Sequence, residues 1–152
     1  MADGEQAIET IRAQFPDAIV ATGSYNGQSW VELSMDSLLD VCTWIRDDPS
    51  TSFDFLVDVT AVHWPDDPQP MELVYHLQSY GRDDRLRLKV RTADTGPVPS
   101  LSGLWSSALW NERETYDMFG IDFTGHPDLR RILMPDDYTD FPLRKEFPLY
   151  RG

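Results

Sequence analysis

Prolines at positions 127, 135, 142 and 148 interrupt the C-terminal stretch of the chain. Each proline removes a backbone N–H donor and restricts the residue before it to extended conformations, so residues 126–152 cannot form a continuous helix. The stretch is also rich in Leu, Ile, Met, Phe and Tyr, which is not the composition of a solvated linker. The sequence therefore predicts a domain over residues 1–125 followed by an extended, proline-rich interaction arm over 126–152. We expect this arm to lie along a partner, because it has little means of burying itself.

The charge is divided unevenly between these two parts. The 152-residue chain has a formal net charge of −13, but residues 126–152 carry five basic and five acidic side chains. The excess acid therefore lies in residues 1–125, on one domain that is large enough to bury a core. A strongly acidic chain lacks the basic surface that nucleic-acid phosphates require, which excludes a nucleic-acid-binding protein.

Neither a secretion signal nor a membrane span is predicted. Residues 1–6 are acidic, and no apolar run approaches the roughly 18–20 residues that cross a bilayer. We expect an intracellular chain that contacts a membrane only through other subunits. The single cysteine, Cys42, cannot form an internal disulfide or hold an iron–sulfur cluster, and its apolar neighbours predict a buried side chain.

Hydrophobic periodicity predicts an α+β fold in which helices pack on one face of a small antiparallel sheet. The predicted helices span residues 5–14, 36–44 and about 101–118, with Asp36 and Ser100 as N-caps of the last two. The predicted strands span residues 18–22, 29–34, 53–61, 71–78 and 85–91. The Asn26-Gly27 pair predicts a tight hairpin turn between the first two strands. Short turns predict that the last three strands form an antiparallel meander.

A row of basic side chains on the last predicted strand allows two interpretations. Arg87, Lys89 and Arg91 alternate with apolar residues and therefore share one face of the sheet. They could bind a ligand, or they could pair with acidic residues on a neighbouring strand. We favour the pairing, because opposite charges on adjacent strands stabilise a sheet.

The last predicted helix carries a charged run from Trp110 to Asp117. On a helical projection Glu112 lies about 20° from Leu101, near the centre of the apolar stripe. A bare buried carboxylate would be costly, so we expect Glu112 to be buried and paired with an arginine of the arm. The candidate partners are Arg130, Arg131 and Arg144.

The opposite side of this helix predicts a partner interface. Trp110, Arg113 and Asp117 project from it, and the last two are spaced to pair with each other. A tryptophan beside an arginine is typical of an interface hot spot, although Trp110 could instead lie on the surface of its own chain. The predicted interface adds five residues of the arm: His126, Arg130, Arg131, Arg144 and Lys145.

An independent acid–base enzyme that uses Glu112 is the alternative from a different functional class. Glu114 lies about 160° around the helix from Glu112, so the two carboxylates do not converge on one substrate. The histidines at positions 63, 76 and 126 have no metal-ligand spacing, and no phosphate-binding loop is present. The sequence predicts no catalytic, metal-binding or cofactor-binding residue in this chain.

Three blocks of sequence, in this order, resemble the C subunit of NADH-quinone oxidoreductase, the respiratory complex I. They are WNERETYDMFGI over 110–121, GHPDLRRIL over 125–133 and PLRKEFPL over 142–149. Residues 53–62 and 86–90 resemble the same family, whereas residues 138–141 depart from its pattern of Trp and Gly. The resemblance covers about residues 53–150 and implies a non-catalytic, cofactor-free subunit of the peripheral arm of a proton-translocating enzyme.

The resemblance also implies partners and a location. The large quinone-site subunit and adjacent iron–sulfur subunits would contact this chain, and the flavin and iron–sulfur clusters would lie in partner subunits. The complex would place the chain on the cytoplasmic side of the bacterial inner membrane, as a peripheral protein. Related subunits occur in membrane-bound energy-converting hydrogenases and in photosynthetic quinone-reducing complexes, so the electron donor stays open.

Overall fold

The computed structural model describes residues 3–148, and the α+β class predicted from the sequence is confirmed. Its helices are α1 (Glu5–Gln14), α2 (Leu38–Asp47) and α3 (Ala108–Phe119), with a 3-10 turn at Met35–Ser37. Its strands are β1 (Ile19–Tyr25), β2 (Gln28–Leu33), β3 (Phe55–His63), β4 (Met71–Ser79), β5 (Asp84–Thr92), β6 (Val98–Pro99) and β7 (Phe123–Thr124). The last four residues of the predicted arm, 149–152, lie outside the described range.

The Asn-Gly turn between β1 and β2 is confirmed. Asn26 and Gly27 both have positive φ angles, of 51° and 75°, as the favoured two-residue hairpin turn requires. Tyr25 and Gln28 close the hairpin as the first pair of an antiparallel ladder.

The main sheet is mixed, so the prediction of a purely antiparallel sheet is wrong in one pair. The strand order is β1-β2-β5-β4-β3, and β3, β4 and β5 form the predicted antiparallel meander. β2 runs parallel to β5, with Val31 opposite Leu88. Alternation shows which face of a strand is buried but does not encode the direction of its neighbour. After β2 the chain passes through α2 to β3 at the opposite edge of the sheet. The meander then returns, and its last strand, β5, lies beside β2 and runs in the same direction.

A bulge in β3 changes which of its residues face the core. The sequence pattern places Phe55 and Val57 on the same face as Val59. The ladder instead shifts register between Leu56 and Asp58, because a bulge inserts an extra residue into one strand. As a result Leu56 and Val59 are buried, whereas Phe55 and Val57 are exposed.

Both predicted helix N-caps are wrong. Asp36 lies inside the 3-10 turn, and α2 begins only after Ser37. Residues 101–107 form turns rather than the first half of a helix, so α3 begins at Ala108. The apolar side chains of these turns still reach the core, which explains why their spacing resembles that of a helix.

Two of the three basic residues in the row on β5, Lys89 and Arg91, pair with an acidic residue across strands, as the favoured interpretation predicts. Lys89 Nζ lies 3.9 Å from Glu72 Oε1, and Arg91 Nε lies 3.7 Å from Glu72 Oε2. Arg87 donates from Nη2 to Gln28 Oε1 at 2.9 Å. Lys89 and Arg91 thus share the carboxylate of Glu72, whereas Arg87 bonds a neutral amide.

The segment that contains α3 covers the β3 edge of the sheet. Three of its side chains reach backbone carbonyls along this edge: Trp105 Nε1 lies 3.0 Å from Phe53 O, Ser107 Oγ 2.7 Å from Leu56 O, and Thr115 Oγ1 3.1 Å from Val59 O. The Thr115 hydroxyl is shared with Asn111 O of its own helix, at 2.9 Å. A bare edge strand presents unpaired backbone groups that other chains can join. Here the side chains of the α3 segment bond to these backbone groups and fix α3 beside the sheet.

Replacing Thr115 with valine tests this edge contact. Thr115→Val keeps the shape of the side chain but leaves the buried Val59 carbonyl without its donor, so we expect a loss of about 1–2 kcal/mol in the free energy of unfolding. Urea denaturation measures the loss. Thr10→Val is the matched control, because the Thr10 hydroxyl also bonds a helix carbonyl (Gln6 O, 2.8 Å) but in an exposed position. Equal losses in the two variants would show that the edge contact contributes nothing.

Candidate functional site

The arm folds back onto its own chain. Residues 126–148 form turns, with no helix or strand in that range, as the prolines predict. Their polar groups bond to α3 and to the loop after β5. Over residues 126–148 the arm therefore lies along its own chain, because α3 supplies acceptors for its backbone and its arginines, although Arg131 is the only residue of this range that is buried.

The central contact of the site is the buried carboxylate of Asp117. Its Oδ2 accepts three successive backbone N–H groups of the arm, from Ile132 at 3.2 Å, Leu133 at 2.7 Å and Met134 at 2.9 Å. Its Oδ1 accepts Nη1 of Arg131 at 2.9 Å. One carboxylate thereby fixes the turn that carries these four residues.

The contacts of Asp117 change the pKa of its carboxyl group. Burial by itself raises the pKa of the carboxyl group, because it disfavours the charged form. The bonds from the Met134 N–H, the Arg131 guanidinium and the two other backbone N–H groups outweigh burial and hold the pKa below its usual range. Asp117 is therefore a permanent anion at neutral pH and is fully engaged within the chain.

Arg113 does not pair with Asp117, so the predicted pairing is wrong, and both side chains are buried within their own chain. Arg113 is buried and donates from Nε to Arg130 O at 3.2 Å and from Nη2 to Arg131 O at 2.9 Å. The arm covers the face of α3 that the helical projection places toward a partner.

Arg131 also organises the middle of the arm. Its Nη2 donates to Tyr138 O at 2.6 Å, and its Nη1 donates to Asp117 O at 2.7 Å. Its guanidinium carbon lies 4.7 Å from the ring centroid of Phe141 and 5.6 Å from that of Tyr138. Arg131 is thus an internal bridge between α3 and the arm, although the sequence assigned it to the interface.

Gly120 makes room for the arm at the end of α3. Its φ of 78° is left-handed, the conformation in which glycine often ends a helix. A Cβ atom at this position would lie 2.8 Å from the ring of Phe141. The residue after the helix is therefore restricted both by its backbone conformation and by the packing of the arm.

Arg144 and Lys145 fasten the distal part of the arm. Arg144 donates from Nε to Phe119 O at 2.6 Å and pairs through Nη1 with Asp94 Oδ1 at 2.6 Å. The backbone N–H of Lys145 donates to Nδ1 of the buried His63 at 3.0 Å, while the Lys145 side chain stays exposed. Of these two predicted interface residues, only Lys145 presents its charge outward.

Glu112 is buried, as predicted, but its predicted arginine partner is wrong. Its carboxylate accepts the Leu101 N–H at 2.8 Å and the Ser100 hydroxyl at 2.6 Å, and no arginine within residues 3–148 pairs with it. Burial raises its pKa more than these two donors lower it. Because residues 101–107 fold back rather than continue a helix, Glu112 reaches the turn at their start. A fully buried carboxylate that closes a turn offers no access for a substrate.

His126 holds the beginning of the arm against α3. Its Nε2 lies 2.9 Å from Leu109 O, and its Nδ1 lies 3.0 Å from the backbone N of Asp128. A neutral ring protonated on Nε2 satisfies both contacts, since Nδ1 then accepts the Asp128 N–H. Arg130 is exposed and pairs with Asp128 at 2.9 Å.

Three large apolar side chains remain exposed on this fixed framework. Trp110 is 60% exposed, with the Arg113 guanidinium 4.9 Å from the centroid of its ring. Leu133 and Leu143 on the arm are 61% and 55% exposed. Neither leucine is predicted from the sequence to be exposed, because the prolines interrupt the arm and leave no period from which side-chain orientation follows. No helix among residues 3–148 is long and apolar enough to span a membrane.

Comparison with known proteins gives a consistent match. The family described as "Respiratory-chain NADH dehydrogenase, 30 Kd subunit" matches residues 31–151. The C subunit of NADH-quinone oxidoreductase from Roseiflexus sp. (strain RS-1) is 45% identical over 148 residues, which cover 97% of this chain and 85% of that protein. The solved structure of a trypsin-resistant fragment of Nqo5 is 29% identical with a TM-score of 0.71, covering 82% of this chain and 98% of the fragment.

A second solved structure shares the fold alone. It is a chain of the membrane-bound sulfane sulfur reductase, described as an archaeal respiratory membrane complex. The two chains superpose with a TM-score of 0.80 at 24% identity, over 96% of this chain and 86% of the other.

Asp117→Asn tests the contact at the centre of the site. The substitution keeps the shape but leaves Arg131 buried without its anion, so we expect a loss of about 2–4 kcal/mol in unfolding free energy at pH 7. Because the folded pKa is lowered, the carboxylate stabilises the fold fully above the ordinary aspartate pKa of about 3.9 and loses this effect as the pH falls through the folded pKa. Denaturation between pH 7 and pH 2.5 should therefore show a smaller acid loss in the variant. Parallel curves for the two proteins would contradict the assignment.

Two substitutions at Glu112 separate its charge from its hydrogen bonds. Its raised pKa means that the ionised form is disfavoured in the fold, so this cost grows as the pH rises from the ordinary value of about 4.3 through the folded pKa. Glu112→Gln should therefore be as stable as the unchanged chain at pH 7, or more stable. Glu112→Ala should lose about 1–3 kcal/mol, because the Leu101 N–H loses its acceptor. Thermal denaturation at pH 7 compares them, and an equal loss in both would mean that the charge is required.

Proposed function

The chain belongs to the family of the 30 kDa subunit of the respiratory-chain NADH dehydrogenase, and from this premise we propose that it is a structural subunit of a proton-translocating NADH-quinone oxidoreductase. The resemblance noted in the sequence is confirmed at the level of the family by the match over residues 31–151 and by relatives named as the C subunit of that enzyme. In this role the chain binds no cofactor and performs no chemistry itself. It supports the subunits that carry electrons from NADH to quinone.

The observation that carries the proposal is a fixed surface with apolar side chains pointing outward. The arm is held by Asp117, Arg131 and Arg144, so its backbone needs no partner to be ordered. Leu133 and Leu143 nevertheless point away from the chain, although they could bury apolar area on a neighbour. A preorganised surface binds with a smaller loss of conformational entropy than a flexible one.

Trp110 extends this surface onto α3. One face of its ring lies against the Arg113 guanidinium, which limits the orientations of the side chain, and the ring is otherwise accessible. Tryptophan and arginine are enriched among the residues that dominate binding energy in protein interfaces. The surface formed by Trp110, Leu133 and Leu143 is therefore the region we assign to contact with neighbouring subunits, together with the exposed charges of Arg130 and Lys145.

The partners in this proposal are the large quinone-site subunit and the adjacent iron–sulfur subunits of the same complex. Flavin and iron–sulfur clusters belong to those partners. The complex carries the chain on the cytoplasmic side of the bacterial inner membrane, where its membrane contact is indirect. The support is membership of the family, the names of the relatives and the exposed apolar side chains of the arm.

An equivalent subunit of an energy-converting hydrogenase or of a photosynthetic quinone-reducing complex is the alternative. The resemblance to the sulfane sulfur reductase chain concerns the fold and does not favour that alternative, whereas relatives at 41–45% identity carry the NADH-quinone oxidoreductase name. Purifying the complex through this chain and supplying NADH or hydrogen as the electron donor distinguishes the NADH-quinone oxidoreductase from the hydrogenase. An independent enzyme that uses Glu112 finds no support, because that carboxylate is buried and engaged.

Leu133→Ser tests the arm surface. An exposed leucine that becomes buried on assembly contributes about 1.5–3 kcal/mol, so its loss should weaken binding of the quinone-site subunit roughly ten- to hundredfold. Co-purification with the tagged full-length chain measures recovery, and the unfolding temperature of the isolated variant should not change. Leu39→Ser is the matched control, since Leu39 is an exposed leucine (43%) on α2, outside the arm. Equal recovery with both variants would place the interface elsewhere.

A further inference from the structure

Two histidines hold backbone N–H groups of the arm in the same way, one near each end of residues 126–148. At the beginning of the arm, Nδ1 of His126 lies 3.0 Å from the backbone N of Asp128. In the distal part, the backbone N of Lys145 lies 3.0 Å from Nδ1 of His63, the buried last residue of β3. In both contacts a backbone N–H of the arm donates and a ring nitrogen accepts.

These contacts fix the protonation state of both rings. A ring nitrogen that accepts an N–H group has a free lone pair, so each imidazole is neutral and carries its proton on Nε2. In His126 this proton is directed to Leu109 O, 2.9 Å from Nε2. A second proton would turn Nδ1 into a donor that faces another donor, and the backbone N–H would lose its acceptor. Histidine is the side chain that ordinarily gains this proton between about pH 8 and pH 5.

The middle of the arm is attached through a different chemical group. Although burial opposes it, the N–H groups of residues 132–134 and the Arg131 guanidinium hold the pKa of the Asp117 carboxyl below its usual range. The carboxylate therefore stays ionised throughout the range in which a histidine ordinarily gains its proton. Mild acid thus acts on the two ends of the arm and leaves its centre in place.

A carboxylate already lies beside the ring of His63. Glu146 Oε2 is 3.3 Å from the same Nδ1, and Arg144 shares this carboxylate through Nη1, 3.3 Å from Oε1. The residue opposite His63 on β4 is the apolar Met71. A proton on Nδ1 therefore has an acceptor in place, and the ring exchanges the N–H of Lys145 for the carboxylate of Glu146.

The surroundings of His126 also accept a charged ring. Burial raises the pKa of the Glu112 carboxyl on α3, but the charge of the nearby His126 acts in the opposite direction. The carboxylate of Asp128 is engaged by Arg130, whose Nε lies 2.9 Å from Oδ2. The Leu109 carbonyl accepts from Nε2 in both protonation states. A second proton therefore removes the contact with the Asp128 N–H and keeps the ring on α3.

The effect of His63 is confined to the last described residues of the arm. Arg144 Nε donates to Phe119 O at 2.6 Å, and the Leu143 N–H donates to Met118 O at 3.0 Å. None of these groups gains or loses a proton in the range in which histidine titrates. Protonation of His63 therefore acts on residues 145–148 and leaves the preceding residues attached to the end of α3.

We propose that the arm has a pH-sensitive attachment at each end. Protonation of His63 releases the backbone N–H of Lys145. Protonation of His126 releases the backbone N–H of Asp128. The two released segments adjoin Arg130 and Lys145, the exposed basic side chains of the proposed contact surface, so acid frees the backbone beside these charges and leaves the turn at the centre of the arm unchanged. The inference goes beyond the proposed function, because it concerns contacts within the chain and its test needs no other subunit.

A titration of the full-length chain by NMR is the first test. Amide exchange of Asp128 and Lys145, each relative to the unprotected rate at the same pH, should become at least about fivefold faster between pH 7.5 and pH 5, as expected for loss of one hydrogen bond. The midpoint of each change should coincide with that of the adjoining imidazole, which a general loosening would not produce. The Leu133 amide is the internal control, because it is bound to Asp117 and should keep its protection. Unchanged protection of Asp128 and Lys145 would overturn the proposal.

His63→Asn is the second test, with His63→Ala as its matched control. The Oδ1 atom of asparagine lies close to the position of the histidine Nδ1 and accepts an N–H group, but it takes up no proton. In His63→Asn the Lys145 amide should therefore be equally protected at pH 7.5 and pH 5, while Asp128 keeps its pH dependence. His63→Ala should leave Lys145 unprotected at both pH values. A pH dependence of Lys145 that persists in His63→Asn would overturn the proposal.

Glu146→Gln tests the exchange of partners at His63 without changing a buried residue, since the Glu146 side chain is 61% exposed. The substitution removes the anion beside the protonated ring, so the midpoint of the His63 titration should move to lower pH, and the change at the Lys145 amide should move with it. Glu9→Gln is the matched control, because Glu9 is an equally exposed carboxylate on α1. The same midpoint in both variants would overturn the exchange of partners.

Discussion

The buried carboxylate of Asp117 determines the path of the arm where it crosses α3. A segment broken by prolines cannot satisfy its own backbone through a helix, so its N–H groups need an external acceptor. Asp117 accepts three of them in succession and also binds the guanidinium of Arg131. Several charge-assisted bonds to one anion offset the cost of removing that anion from water. The path of the arm therefore depends on one side chain of α3, and the outward orientation of Leu133 follows from the turn that this side chain fixes.

α3 can hold the arm in place because it is itself fixed to the sheet. Thr115 and Ser107 bond to carbonyls along β3, while Glu112 closes the turn that leads into the helix. Thr115 and Ser107 thus hold the α3 segment to β3, and Glu112 holds it to the turn that precedes the helix. The order of dependence runs from the sheet edge to α3, and from α3 to the arm. A subunit whose task is contact rather than chemistry benefits from this rigidity, because an ordered surface loses little entropy on assembly.

The charged run on α3 shows which features of this chain can be predicted from its sequence and which cannot. Helical periodicity places Glu112 inward and identifies the face of α3 where contacts occur, because side-chain direction on a helix depends only on local geometry. The partners of Glu112, Arg113 and Asp117 do not follow from periodicity. They depend on where distant segments return to the helix, and several arginines of the arm satisfied the same chemical requirement. The bulge in β3 is a similar case, since one extra residue reverses the faces without any change in the alternating sequence.

The sequence by itself determined the α+β class, the Asn-Gly hairpin, the meander, the absence of helix in residues 126–148 and the family. These follow from local backbone preferences, from side-chain period and from ordered motifs, all of which are properties of neighbouring residues. Only the tertiary structure decided that β2 runs parallel to β5, that the arm folds back onto α3, and that Asp117 rather than Glu112 meets an arginine. The physical reason is that a polar group must find a partner once it is buried, but which partner it finds depends on the packing of segments far apart in the chain.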